Sequence, residues 1–326
     1  MSPTPPSPPP ACSRRTFLHA GAAALSASAL SAGRITSHAA DQTPATPGPP
    51  TEFQIACMTL PYSRFPLGRA LSGIQSAGYR YVAWGTQHVE ADGQKVPVLA
   101  ADAPPDRAAE LGRRCRDLGL EPLMMFSTIY PEDPRGLEVL TQRVKQAAAA
   151  GIPQVLTFGH TEGGNAPVWG ERFKKLGPIA KDHGVLIVVK QHGGSTGTGE
   201  ACAKIVREVG HPNIQVNYDA GNVMDYLNVD PIPDILTCAD VVRSFCIKDH
   251  RNWPKDEDCG PGLGEIDHYR LLHPVAFRGL KMPLCCENIF APLGPRPETP
   301  EGIDDLAARA RRFLELVIAG LQTRVP

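Results

Sequence analysis

The chain has 326 residues, 42% hydrophobic and 21% charged, with a formal net charge of −1. That is long enough for one large domain or two small ones with an apolar core. The near-neutral balance supplies neither a basic stripe for nucleic acid nor a cationic patch for a membrane surface.

The first fifty residues read as separate from the fold. Met1–Ala11 is proline-rich, and Ser13-Arg-Arg-Thr-Phe-Leu18 introduces an Ala- and Ser-rich apolar run from Phe17 to Ala32. Ser37-His-Ala39 offers a small-x-small cleavage site. Together these predict that residues 1–50 are a twin-arginine export signal and linker, with a disordered tail as the plainer alternative. The apolar run is too short and weak for a transmembrane helix. The expected location is therefore periplasmic or otherwise exported, with no membrane contact after cleavage. Nine cysteines contain no CxxC pair, which argues against a structural zinc module. Cys12 would leave with the signal. An oxidising compartment permits disulfides, but most of the other cysteines lie in apolar segments and fit as small core residues.

From Glu52 onward, strand-like and helix-like segments alternate. The predicted strands are Phe53–Thr59, Tyr79–Trp84, Glu121–Ser127, Gln154–Gly159, Val185–Gln191, Ile214–Asp219, Val241–Lys248 and Met282–Glu287. Predicted helices follow near Pro66–Ala77, Pro104–Leu118, Pro134–Ala150, Gly170–His183, Gly199–Val209, Pro233–Ala239, Asp267–Phe277 and Glu301–Leu321. Eight strand–helix units over residues 51–326 fit a (β/α)8 TIM barrel, an α/β fold. A doubly wound open sheet is the alternative, weakened by the lack of a glycine-rich fingerprint opening the first helix.

The barrel reading yields a list of candidate residues. Catalytic side chains belong at the carboxyl ends of strands, facing inward. Side chains alternate along a strand, so Lys190 and His192 share a face with Leu186 and Val188. By the same alternation Asp219, Cys246, Lys248 and Glu287 face the lumen on the next three strands. A buried lysine requires an anionic neighbour, and two carboxylates supply it. Trp84 ends the second strand as a candidate stacking platform for a substrate, with ordinary core packing as the alternative. His160 and Asn222 sit at strand ends as candidate substrate contacts. Lys190 reads either as catalytic or as a structural counter-charge, and Cys246 as a small barrel-layer residue rather than a nucleophile.

Taken in order, Val189-Lys-Gln-His-Gly-Gly194, Asn217-Tyr-Asp-Ala-Gly-Asn222, Ser244-Phe-Cys-Ile-Lys-Asp249, Gly260-Pro-Gly-Leu-Gly-Glu-Ile-Asp267 and Cys286-Glu-Asn288 fall on successive strand ends. Across residues 52–321 the chain resembles the xylose isomerase-like TIM-barrel superfamily, the sugar phosphate isomerase/epimerase group. The resemblance implies a small carbohydrate substrate and proton transfer beside a sugar carbonyl. It also implies a divalent metal, manganese or zinc, held by Glu, Asp, His and Glu from strands five to eight. Asp219 and Glu287 keep two of those positions, whereas Lys190 and Cys246 replace the other two. An ammonium cannot ligate a metal and already brings positive charge. The expectation is an exported isomerase, epimerase or lyase-like enzyme with Glu287 as base, Lys190 steadying an oxyanion, Asp219 holding Lys190, and His192 and Lys248 beside them. A non-catalytic carbohydrate-binding barrel is the alternative. A zinc site of Asp219, Glu287, His192 and Cys246 is a third reading.

Overall fold

The computed structural model describes residues 48–323. The predicted export segment therefore lies almost entirely outside the described residues. Eight parallel strands close on themselves: β1 (Glu52–Met58), β2 (Tyr81–Trp84), β3 (Glu121–Phe126), β4 (Gln154–Phe158), β5 (Leu186–Lys190), β6 (Ile214–Tyr218), β7 (Val242–Ile247) and β8 (Lys281–Cys286). β1 pairs with both β2 and β8, so the sheet has no edge and the open-sheet alternative is excluded. The fold is a (β/α)8 TIM barrel.

The period-two alternation sorts the core into two layers. Ala56, Met58, Ala83, Met124, Leu156, Val188, Cys246 and Cys285 fill the lumen. Cys57, Val82, Trp84, Ile187, Val189, Val216, Tyr218, Phe245, Ile247 and Cys286 face outward, where the helices cover them. Alanine and cysteine recur inside because a closed eight-stranded barrel leaves little more than side-chain volume at its centre. All eight described cysteines are buried and free, consistent with small core residues.

The helices are α1 (Leu67–Ser76), α2 (Pro105–Asp117), α3 (Gly136–Ala150), α4 (Ala166–Asp182), α5 (Gly199–Val209), α6 (Ala220–Leu227), α7 (Pro231–Leu236), α8 (His268–Leu272) and α9 (Pro300–Gln322). α4 starts four residues before the expected Gly170 because the Asn165 side chain accepts from the Val168 N–H and a proline occupies the first turn. α6 was not expected. The Asp219 side chain caps it by accepting from the Asn222 N–H, and Asn228 ends it in a left-handed conformation at φ 50°. Gly221 suits neither a helix nor a strand by propensity, but a Cβ there would lie 2.6 Å from Cγ of Lys248. The glycine is what lets the Lys248 stem cross the first turn.

Two short antiparallel ribbons rise above the carboxyl ends of the strands. One joins Gln87–Val89 to Lys95–Pro97 and buries His88 with its Nδ1 2.8 Å from the Phe65 carbonyl. The other joins Asp249–Arg251 to Glu257–Cys259. Asp249 anchors the glycine-rich turn behind it, accepting from the N–H groups of His250, Gly262 and Ile266.

Candidate functional site

Four charged side chains from consecutive strand ends converge at the top of β5–β8. Lys190 Nζ donates to both Glu287 oxygens, at 2.8 and 2.9 Å. It also lies 3.1 Å from Asp219 Oδ2, close enough for charge attraction but off the line of a hydrogen bond. Lys248 Nζ lies 3.1 Å from Asp258 Oδ2, 3.6 Å from Asp219 Oδ2 and 3.8 Å from Glu287 Oε2. Two ammoniums and three carboxylates thus form one network. The parity reading places Leu186, Val188 and Lys190 on the lumen side and Ile187 and Val189 against the helices, as the structure shows.

Burial and pairing pull these groups in opposite directions. Burial alone would lower the Lys190 pKa, but Glu287 and Asp219 outweigh it and hold the amine charged. Lys248 is likewise raised, with Asp219, Glu287 and Asp258 overcoming burial. Burial pushes Asp219 up to about 6 despite Lys248 and Lys190. Glu287 goes the other way: Lys190 and Lys248 overcome its burial and hold it below the usual carboxylate range. The split follows the geometry. Glu287 takes both aligned bonds from Lys190, whereas Asp219 spends Oδ1 on its helix cap and leaves Oδ2 without an aligned donor.

Access separates the members. The side chains of Lys190, Asp219, Lys248 and Glu287 are 3%, 0%, 7% and 11% exposed, so of the two carboxylates against Lys190 it is Glu287 that is open to a ligand; Asp258, on the ribbon, is 26% exposed. His192 stands at the rim. Its Nδ1 lies 2.8 Å from the Gly159 carbonyl, which fixes that nitrogen as the donor and leaves Nε2 open. Burial lowers the His192 pKa, so the ring is neutral near pH 7. Phe158 and Tyr226 hold the ring from either side, at 4.6 and 5.3 Å between centroids.

Phe158 also borders a cavity of about 640 Å³ over β2–β4, with Thr86, Gln87, Leu99, Thr128 and Tyr130 among its walls. The Lys190 amine lies 5.6 Å from the Phe158 ring centre, so the charged cluster and the cavity share that wall. His160 is half exposed and stacks on Tyr130 with 3.8 Å between ring centres, in position to meet a ligand.

Two expected substrate contacts are corrected. Trp84 is 1% exposed and belongs to the layer between barrel and helices, because Tyr81 and Ala83 take the inward positions of β2. Asn222 is buried with its amide spent: Nδ2 donates to the Gln191 carbonyl at 2.6 Å, and Oδ1 accepts from Lys248. It positions Lys248 and does not face a ligand. Sequence reasoning missed Asp258, whose pairing with Lys248 depends on the unexpected ribbon. It also missed Phe158 and Tyr130; the aromatic at the end of β4 was the available signal.

The metal expected from the resemblance does not fit these residues. One donor atom each from Asp219, Cys246 and Glu287 falls within 4.8 Å of the others. The ammonium of Lys190, however, sits against both carboxylates where a shared ion would lie. Burial raises the Cys246 thiol well above its ordinary value, disfavouring the thiolate a metal needs. His192, the fourth member of the zinc reading, is tethered to Gly159 and lies outside that donor group.

A closed eight-stranded barrel with surrounding helices and a charged cluster on its last four strand ends is the architecture of a TIM barrel. The chain belongs to the xylose isomerase-like TIM barrel family, which matches residues 72–312. A xylose isomerase domain protein from Alicyclobacillus acidocaldarius superposes with a TM-score of 0.64 at 17% identity, over 83% of this chain and 100% of that one. An L-ribulose 3-epimerase gives 0.63 at 17% identity, over 82% and 95%. A xylose isomerase-like TIM barrel/4-hydroxyphenylpyruvate dioxygenase fusion protein gives 0.62 at 20% identity; the match covers 83% of this chain but only 43% of the fusion. At these identities the likeness is one of fold. No curated protein matches the chain.

Proposed function

We propose that this chain is an exported enzyme of the sugar isomerase or epimerase kind, acting on a small carbohydrate by removing a proton beside a carbonyl, with an ammonium in the place of the metal. The observation that carries this reading is Lys190 clamped between Glu287 and Asp219 at the end of β5. Glu287 takes the carbon-bound proton. The electron pair moves onto the carbonyl oxygen, and Lys190 donates a hydrogen bond to the resulting oxyanion. Returning the proton to the neighbouring carbon, while the hydroxyl proton there passes to the former carbonyl oxygen, isomerises the sugar; epimerising the centre takes a proton from a second donor on the face opposite Glu287.

Glu287 begins as a weak base because Lys190 holds it by both oxygens. A substrate oxygen that takes one of those donors removes part of that stabilisation. Binding thus engages the oxyanion donor and raises the basicity of Glu287 in one exchange. The same charge pattern argues against Lys190 as a Schiff-base nucleophile, which needs the neutral amine. Asp219 holds Lys190, and Asn222 with Asp258 holds Lys248. The cavity over β2–β4 receives the rest of the sugar, with His160 and Tyr130 at its edge.

The mutual charge pairing of the cluster favours a second reading, a carbohydrate-binding barrel without catalysis, because a buried ion-pair network can persist for stability alone. Incubation with aldoses and ketoses in deuterated water separates the two. Exchange at the carbon beside the carbonyl, lost in Glu287→Gln, supports the enzyme. Sugar binding that survives Glu287→Gln, with no exchange in wild type on any bound sugar, establishes the binder. Export rests on Arg14 and Arg15. Replacing both by lysine traps the precursor inside the cell; normal processing of that double variant refutes the signal.

A further inference from the structure

A second group of metal-capable side chains lies outside the catalytic cluster, where α6 meets the ribbon Asp249–Arg251/Glu257–Cys259. His250 is its centre, and its side chain is 0% exposed. Nδ1 lies 3.1 Å from Asp258 Oδ1. Nε2 lies 3.3 Å from Asp256 Oδ1 and 3.2 Å from Asn252 Oδ1. Every one of these neighbours is an oxygen acceptor. A neutral imidazole carries one N–H and one lone pair. In either tautomer, a buried lone pair would therefore face oxygen. Only a cation at the ring satisfies both sides.

The cation is either a second proton or a metal ion. The surroundings distinguish them. Asp225, from the last turn of α6, brings a carboxylate oxygen into the same space: one donor atom each from Asp225, His250 and Asp256 falls within 4.8 Å of the others. Donors around one tetrahedral zinc ion, bonded at about 2.0–2.2 Å, sit about 3.3–3.6 Å apart, so the two exposed aspartates turn inward to close the shell. An imidazolium would donate Nδ1–H to Asp258 and Nε2–H to Asp256 or Asn252, leaving Asp225 unserved; an ion at Nε2 serves Asp225 and Asp256 together. Behind the ring, Asp258 supplies the carboxylate that orients a metal-bound histidine from its far nitrogen.

We propose that His250 Nε2, Asp225 and Asp256 bind one divalent cation of the zinc class, with the amide oxygen of Asn252 beside them. The ion ties the end of α6 to the ribbon. It also holds Asp258, which links His250 to Lys248 at 3.1 Å on each side. The site is therefore structural and separate from the lysine-filled strand ends.

The test uses the purified mature chain, first stripped with a chelator, titrated with zinc chloride and followed by calorimetry and thermal melting. One equivalent binds and raises Tm. Asp225→Asn and Asp256→Asn, both at exposed positions, each weaken binding by about tenfold or more while leaving the melting point of the stripped protein near that of wild type. X-ray absorption shows nitrogen and oxygen neighbours only. The proposal is overturned if zinc does not bind, if binding survives both substitutions, or if it is lost in Glu287→Gln instead. A sulfur neighbour, which would place the ion at a cysteine, overturns it as well. So does a His250 ring that stays an imidazolium by NMR with zinc present.

Discussion

The two halves of the barrel mouth are built on opposite terms. Over β5–β8 the side chains are charged, buried and mutually paired. Over β2–β4 the mouth is an open cavity walled mostly by neutral and aromatic residues such as Leu99, Thr128, Tyr130 and Phe158, with Asp133 and Arg143 as the charged members of the wall. Even Arg143 bonds only to neutral oxygens of Leu99, Ser127, Thr128 and Gln146. The difference separates two tasks. A network of buried charges cannot lose a single member cheaply, so it suits a fixed reaction. A neutral wall tolerates side-chain changes one at a time, so it suits the choice of substrate.

The largest break in this contrast is Lys190→Met. It leaves Asp219 and Glu287 facing each other with Lys248 as the remaining cation, and the expected cost is about 3–5 kcal/mol of stability. Urea denaturation measures it. A cost below about 1 kcal/mol would mean that Lys248 or water neutralises the pair and that Lys190 is not its keystone. Turnover should vanish in the same variant.

The exchange Lys190→Glu with Cys246→His sharpens the same half. It removes the ammonium and restores the two donors that the family pattern places there. The double variant is expected to gain about one equivalent of manganese or zinc beyond whatever wild type holds, read by metal analysis after dialysis. A metal content unchanged from wild type would show that Lys248 alone keeps the ion out.

Acid melting reads the charge split. Glu287 is held below its ordinary pKa, so its stabilisation is present above that value and lost as pH falls through the folded one. Asp219 is raised to about 6, so its contribution has the opposite sign, full in acid and lost as pH rises through about 6. Wild-type Tm should therefore hold or rise on acidification toward about pH 4 and drop below it. Glu287→Gln should start lower at neutral pH and lack the acid-side drop due to this residue. A parallel fall of both proteins would remove Glu287 from the network.

Much of the charged half was legible because strand periodicity is rigid. Parity along β5, β6 and β7 put Lys190, Asp219, Cys246 and Lys248 on the lumen side. The same rule, applied to β2, puts Tyr81 and Ala83 inward and Trp84 outward, so the expectation of a sugar platform came from setting the alternation aside. Elements without periodicity were harder. α6 depends on an Asp219 cap and on Gly221 yielding space to Lys248, neither of which is a local helix signal. Asp258 reaches Lys248 only because the ribbon folds back over the mouth, a non-local pairing.

The smallest expected effect lies in the neutral half. Tyr130 is part-buried, stacks on His160 and meets the edge of the Phe158 ring at 5.9 Å between centres. Tyr130→Ala removes no buried charge and, from the lumen layer, only the edge contact with Phe158, so its stability cost should stay within about 1 kcal/mol. An aromatic wall contributes about 0.5–1.5 kcal/mol to a stacked partner, which corresponds to a loss of affinity of roughly two- to tenfold. KM should rise by that factor while kcat stays near wild type, because the ring is placed to touch the distal part of the sugar and not the reacting carbon. Equal losses in kcat and in kcat/KM would place Tyr130 at the reacting centre and erase the division between the two halves. A loss of several kcal/mol in stability would do so from the other side, by showing that the open wall is as tightly bound into the fold as the charged cluster.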